Sequence, residues 1–126
     1  MAPTDLRNTY HFPSFNACPE FEDMDFNYYH TLGGDFYRPN RHWCLLAEIS
    51  QVENFIRLRL LVKDRGGSTF PIAFYLNGEA PDPSQFKLGH TVAILYAHRH
   101  EFLDTTVGIR QEERSTFQVS LKNHRD

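Results

Sequence analysis

The sequence predicts an all-β domain of about five strands, preceded by an aromatic-rich N-terminal arm. Three observations lead there. Apolar and charged residues alternate along Leu58-Arg59-Leu60-Leu61-Val62-Lys63, close to the two-residue period of a strand with one buried face. Turn residues punctuate such runs, most clearly Arg65-Gly66-Gly67-Ser68. Residues 1–40 keep neither a helical nor a strand period, carry Pro3, Pro13, Pro19 and Pro39, and are too aromatic for a simple linker.

The elements follow in order. Residues 1–40 read as an arm that wraps the body of the domain, with one short strand near Asp35-Phe36-Tyr37. Residues 41–126 read as the barrel domain. HWCLLAEISQVEN is a first long strand with Trp43, Leu45 and Ile49 inward. FIRLRLLVKD is a second, with Leu58, Leu60 and Val62 on one face and Arg57, Arg59 and Lys63 on the other. The turn at 65–68 uses glycine because glycine takes positive φ without steric cost. TFPIAFYL is a third strand, and Pro71, which cannot donate to a ladder, marks it as an edge strand or a bulged one. NGEAPDPSQF is a loop in which Ser84 caps one helical turn. HTVAILYAHRH is a fourth strand, and GIRQEE or FQVSL supplies the fifth.

Composition narrows the function classes. The 126 residues suffice for one domain with a core of its own. The formal net charge is −3 and the isoelectric point about 6.1, so no bulk basic charge advertises nucleic acid. Cys18 and Cys44 are too few for a disulfide framework or a zinc finger and read as free thiols of a reducing compartment. No apolar signal core, no run near the ~20 residues of a membrane span and no Asn-x-Ser/Thr acceptor occur. The expected location is cytoplasmic or nuclear, with no membrane partner.

Two motifs carry a resemblance. Val62-Lys63-Asp64 followed by Gly66-Gly67 is similar to the turn between strands two and three of OB-folds. Leu88-Gly89-His90-Thr91-Val92-Ala93-Ile94 is similar to the entry into their fourth strand. The resemblance implies a five-stranded OB-like Greek-key barrel. A small closed barrel needs a tight turn there and a glycine where its strand bends. HTLGGDFYRPNRHWCLLAEI and AHRHEFLDTTVGIRQEE further resemble the N-terminal domain of fungal proteins that carry a MYND zinc finger, over about residues 30–115. This chain lacks the Cys/His cluster of that finger, so zinc-dependent partner binding does not carry over.

Three constellations bear on function. Arg57, Arg59 and Lys63, with Phe74 and Tyr75 on the next strand, form a candidate binding groove, and Arg38, Arg41 and Arg65 could add to its basic strip. OB-folds bind single strands across this face with cations and stacking aromatics, while alternating Arg and Leu is also what any half-exposed strand shows. His98-Arg99-His100, with Asp104 beyond, has the spacing by which a strand offers two metal ligands; hydrogen-bonded strand-end histidines are commoner, and neither metal nor cofactor is expected. The acidic run Glu20, Glu22, Asp23 and Asp25, interleaved with Phe21, Phe26, Tyr28 and Tyr29, suits docking onto the basic row of the same chain.

No catalytic signature is present. The serines lie in no nucleophile elbow, and neither glycine pair has the lysine and spacing of a phosphate loop. The leading expectation is therefore a non-catalytic module that binds a protein segment or itself through the barrel face. A single-stranded nucleic-acid-binding domain is the alternative, and a small metal-dependent enzyme using the His-x-His strand is the third reading.

Overall fold

A computed structural model describes residues 5–21, 24–34, 36–54, 57–76, 81–112 and 116–119. The chain is mostly β. A two-stranded ribbon joins β1 (Tyr29–Gly33) to β2 (Phe36–Pro39). The main sheet holds β3 (Cys44–Asn54), β4 (Leu58–Asp64), β5 (Thr69–Phe74), β6 (Thr91–Leu95), β7 (His100–Glu101), β8 (Val107–Gln111) and β9 (Phe117–Val119). Its order is β7-β8-β5-β4-β3-β6-β9, antiparallel except for the parallel pairing of β5 with β8. Short 3-10 turns stand at Phe15–Ala17 and Pro83–Gln85, and no helix among the described residues is long and apolar enough to cross a membrane.

The two-residue period places the core as expected. Trp43, Leu45, Ile49, Leu58, Leu60, Val62, Ile72, Val92 and Ile94 are all buried. Each fully buried large aliphatic side chain contributes roughly 1.5–3 kcal/mol. The chain reverses at 65–68, where Gly67 takes φ +91° and its amide donates to the Asp64 carbonyl. The Asp64 carboxylate is itself buried and accepts from the Ser68 amide at 2.9 Å.

Four expectations change. The third strand is not an edge: β5 lies between β4 and β8, and Pro71 is tolerated because the β8 ladder begins one residue later, at Ile72. The fourth strand is broken. Tyr96 takes φ +56°, which ends β6 at Leu95, and the chain rejoins the main sheet at β7. Both candidates for the fifth strand form, β8 beside β5 and β9 beside β6, although Glu113, Ser120 and Leu121 of those segments lie outside the described residues. The cap of the Pro83–Gln85 turn is Asp82, whose carboxylate accepts from the Ser84 amide at 2.9 Å; Ser84 sits inside the turn. Residues 77–80 of the preceding loop also lie outside the described residues.

The arm packs, but not where its charge suggested. The Phe15 ring stacks on Phe70 with centroids 4.0 Å apart, and Phe15 and Cys18 belong to the same buried cluster as β3 to β6. Tyr28 is buried edge-on against Trp43 at 4.7 Å, and its hydroxyl donates to the Ala17 carbonyl. The Tyr29 hydroxyl meets His98 Nε2 at 2.8 Å. Phe21 and Phe26, expected to anchor the arm, are 58% and 65% exposed. The single short strand expected near Asp35 is instead the β1–β2 ribbon; Asp35, like Glu22 and Asp23, lies outside the described residues.

Candidate nucleic-acid interface

The outer face of the sheet is built by register. Leu58, Leu60 and Val62 point inward, so Arg59 points outward. Arg59 pairs with Ala73, and Ala73 pairs with Arg110, which sets two arginines on either side of a small residue across three strands. A groove of about 880 Å³ opens there, lined by Glu53, Arg57, Arg59, Ala73, Tyr75, Arg110 and the β7–β8 hairpin.

Tyr75 is the centre of the groove's cation cluster. The Arg57 Cζ lies 3.6 Å and the Arg110 Cζ 4.1 Å from its ring centroid. Arg57 is fixed at its far end, where Nη1 donates to the Phe74 carbonyl at 3.2 Å. Guanidinium planes held against an aromatic ring are ordered before any ligand arrives, which lowers the entropy cost of binding. Arg59 is less committed. Its Nε lies 3.8 Å from Glu53 Oε2 and makes no hydrogen bond among the described residues, although it is out of solvent. Arg110 is paired with Glu112 at 2.7 Å.

The opposite wall is the hairpin between β7 and β8. Asp104 accepts from the Thr106 hydroxyl at 2.6 Å and the Thr106 amide at 3.0 Å. Those two bonds hold its carboxyl below the usual carboxylate range. Thr105 takes φ +71°, and Leu103 stands fully exposed at the tip. His100 and Phe102 meet edge-to-face at 5.0 Å on the groove side.

The groove's formal charge is nearly balanced. Arg57, Arg59 and Arg110 face Glu53, Glu101 and Asp104 in the same lining. What distinguishes the site is therefore planar groups in an open trough rather than a strong positive field.

Of the residues expected in the groove, Arg57, Arg59 and Tyr75 are brought together. Phe74 is not. One residue before Tyr75 on an extended chain, it turns inward, is buried and packs against Phe86 at 5.5 Å. Lys63 is exposed opposite Glu48 at the far end of β4, about 13 Å along the strand from Arg59. Arg41 sits over Tyr28, Arg65 donates to the Leu6 carbonyl, and Arg38 lies on the ribbon. Arg110, Phe102 and the hairpin were missed, because their place beside β4 depends on long-range pairing that no local pattern carries.

The other candidates disperse. His98 faces Tyr29 and Trp43, while His100 faces Phe21 and Phe102. Burial holds the His98 imidazole below its ordinary range, with a hydrogen bond to the Tyr96 backbone pulling the other way. Among the described residues, no three His, Cys, Asp or Glu side chains are grouped so as to hold a metal ion. Cys18 and Cys44 are free thiols, and burial pushes them up to about 12 and about 11.

No protein-family model and no curated protein matches the chain. Among solved structures, it is similar to the crystal structure of Schizosaccharomyces pombe Pot1pC bound to ssDNA, at 9% identity and a TM-score of 0.46, covering 66% of this chain and 79% of that one. It is also similar to a replication protein A heterotrimer bound to ssDNA, at 10% identity and a TM-score of 0.46, covering 75% and 73%. Likeness at this level assigns no ligand to this chain.

Proposed function

We propose that the chain binds single-stranded nucleic acid, without catalysis, in the groove between β4, β5, β8 and the β7–β8 hairpin. The observation that carries this reading is the pair of guanidiniums at 3.6 and 4.1 Å from the Tyr75 ring in an open trough. Bases stack on aromatic rings and on arginine planes whatever their sequence, while the same arginines reach phosphates. This order reverses the expectation from sequence, which put a protein-binding or self-binding face first. The arm was expected to dock on the basic row, and among the described residues none of the arm lines the groove. The fold we infer is OB-like. β6 and β7 are the two halves of one broken fourth strand, β6 pairing with β3 and β7 with β8, so the stretch 96–99 links the two sides of the sheet. The resemblance to the fungal MYND-associated domain fits the same proposal and adds no ligand to it.

The test is a fluorescence-anisotropy titration with a labelled mixed-sequence oligonucleotide of about ten nucleotides, single-stranded and as duplex. Saturable binding of the single strand, weaker binding of the duplex and loss in Tyr75→Ala are expected. Equal affinity for both forms, or none for either, would remove the reading. A second reading, docking of a protein segment, is favoured by Leu32, Phe36 and Tyr37, which are exposed on the β1–β2 ribbon away from the groove.

A further inference from the structure

Phe21 is an exposed aromatic that the nucleic-acid reading leaves unexplained. It belongs to the arm and is 58% exposed, yet it is firmly held. Its amide donates to the Arg99 carbonyl at 2.8 Å, and the Arg99 amide donates to the Pro19 carbonyl at 2.8 Å. Arg99 Nε donates to the Cys18 carbonyl at 2.8 Å, and Nη2 lies 3.5 Å from Glu20. The arm is thus stitched as a short parallel bridge to the chain just before β7. Apolar surface held in water by backbone bonds is poised for a ligand, because little conformational freedom remains to be lost.

Phe21 also continues an aromatic row. Its ring meets His100 edge-on at 5.7 Å, and His100 meets Phe102 edge-on at 5.0 Å. His100 and Arg110 line both the groove and an adjoining hollow of about 310 Å³ that Phe21 and His98 help to enclose. The two spaces therefore share a wall. A chain lying along Tyr75 and Phe102 meets Phe21 next.

We infer that Phe21 is an additional base-stacking subsite, through which the N-terminal arm lengthens the strand-binding path past the end of the barrel groove. The inference rests on the nucleic-acid reading above. Its occupant is the next nucleotide of the same single strand, since the hollow adjoins the groove across His100 and Arg110 and the row offers flat surfaces rather than a closed pocket. The Phe21 ring stands nearly perpendicular to His100 and keeps 58% of its surface exposed, which leaves apolar ring surface for that base.

A length series separates the two claims. Affinities of the full chain and of Phe21→Ala are measured for single-stranded homopolymers lengthened one nucleotide at a time. Both proteins should gain affinity with length, and the Phe21→Ala curve should level off about one nucleotide earlier, at least fivefold weaker on the longest strands. Phe21→Trp should restore the full curve, and Phe21→Leu, which keeps apolar bulk without a ring, should not. Identical curves for the full chain and Phe21→Ala, or an equal loss at every length, would overturn the subsite and leave the groove standing. No binding at any length by the full chain would overturn the groove reading itself.

Discussion

Asp64 accepts the amide hydrogen of Phe15 at 2.8 Å across 49 residues of sequence. The same carboxylate accepts the Ser68 amide at 2.9 Å, so one buried side chain fastens both the arm and the β4–β5 turn. Removing the acceptor leaves two donors without partners. Asp64→Ala should cost about 2–4 kcal/mol and Asp64→Asn less, since a carboxamide still accepts one bond. Urea unfolding followed by circular dichroism reads this directly, and an unchanged midpoint in Asp64→Ala would refute it.

At Gly108, β8 lies hard against Pro71 of β5. A Cβ built there would meet the Pro71 carbonyl oxygen at 2.3 Å and its ring carbons at 2.7 and 2.9 Å. Backbone on one side and a rigid ring on the other leave nothing to swing away. Gly108→Ala should destabilise by roughly 1–3 kcal/mol, visible as a lower melting temperature. It should also weaken oligonucleotide binding, because Arg110 rides on the same strand. A melting temperature equal to that of the unchanged protein would show that the strands separate more easily than this geometry implies.

His98 should make stability depend on pH in one direction. Burial lowers its folded pKa below the unfolded value. The unfolded chain then binds the proton more readily, so stability is full above the unfolded pKa, near 6.5, and declines as pH falls toward the folded one. The unchanged protein should lose more melting temperature between neutral pH and pH about 5 than His98→Gln does. Parallel slopes in the two proteins would place the titration elsewhere.

Salt dependence should be shallow. With at most three groove arginines meeting phosphates, the slope of log affinity against log salt should be no steeper than about −2 for a single strand. Arg57→Ala and Arg59→Ala should each weaken binding and flatten that slope by about 0.7, whereas Lys63→Ala should change neither. A slope far steeper than this, or a strong effect at Lys63, would mean that the strand follows a different face.

The inward residues of β3 to β6 were legible because burial on a sheet repeats every two residues, and Leu58, Leu60 and Val62 keep that beat. The same rule separates Phe74 from Tyr75, so only one of the two candidates could face the groove, and the structure gives that place to Tyr75. The break at Tyr96 was not legible, since Leu95-Tyr96-Ala97 contains neither glycine nor proline and reads as continuous strand. Arg110 was out of reach for another reason: its neighbour Ala73 lies on a distant strand, and parallel pairing leaves no turn signature between partners. Half of the site came from one strand and its neighbour, and half from a hairpin that only the assembled sheet brings near.

Trp43 is the sole tryptophan, 1% exposed, with Nε1 donating to the Ala97 carbonyl and the rings of Tyr28, Tyr29, Tyr96 and His98 around it. Two of those rings come from the arm. Its emission is thus an optical gauge of whether the arm is seated, blue-shifted when docked and red-shifted on release. The indole borders no part of the groove, so a strand could fill that groove without altering the signal. Intrinsic fluorescence will report folding faithfully and occupancy hardly at all, and the chromophore for any binding curve belongs on the oligonucleotide.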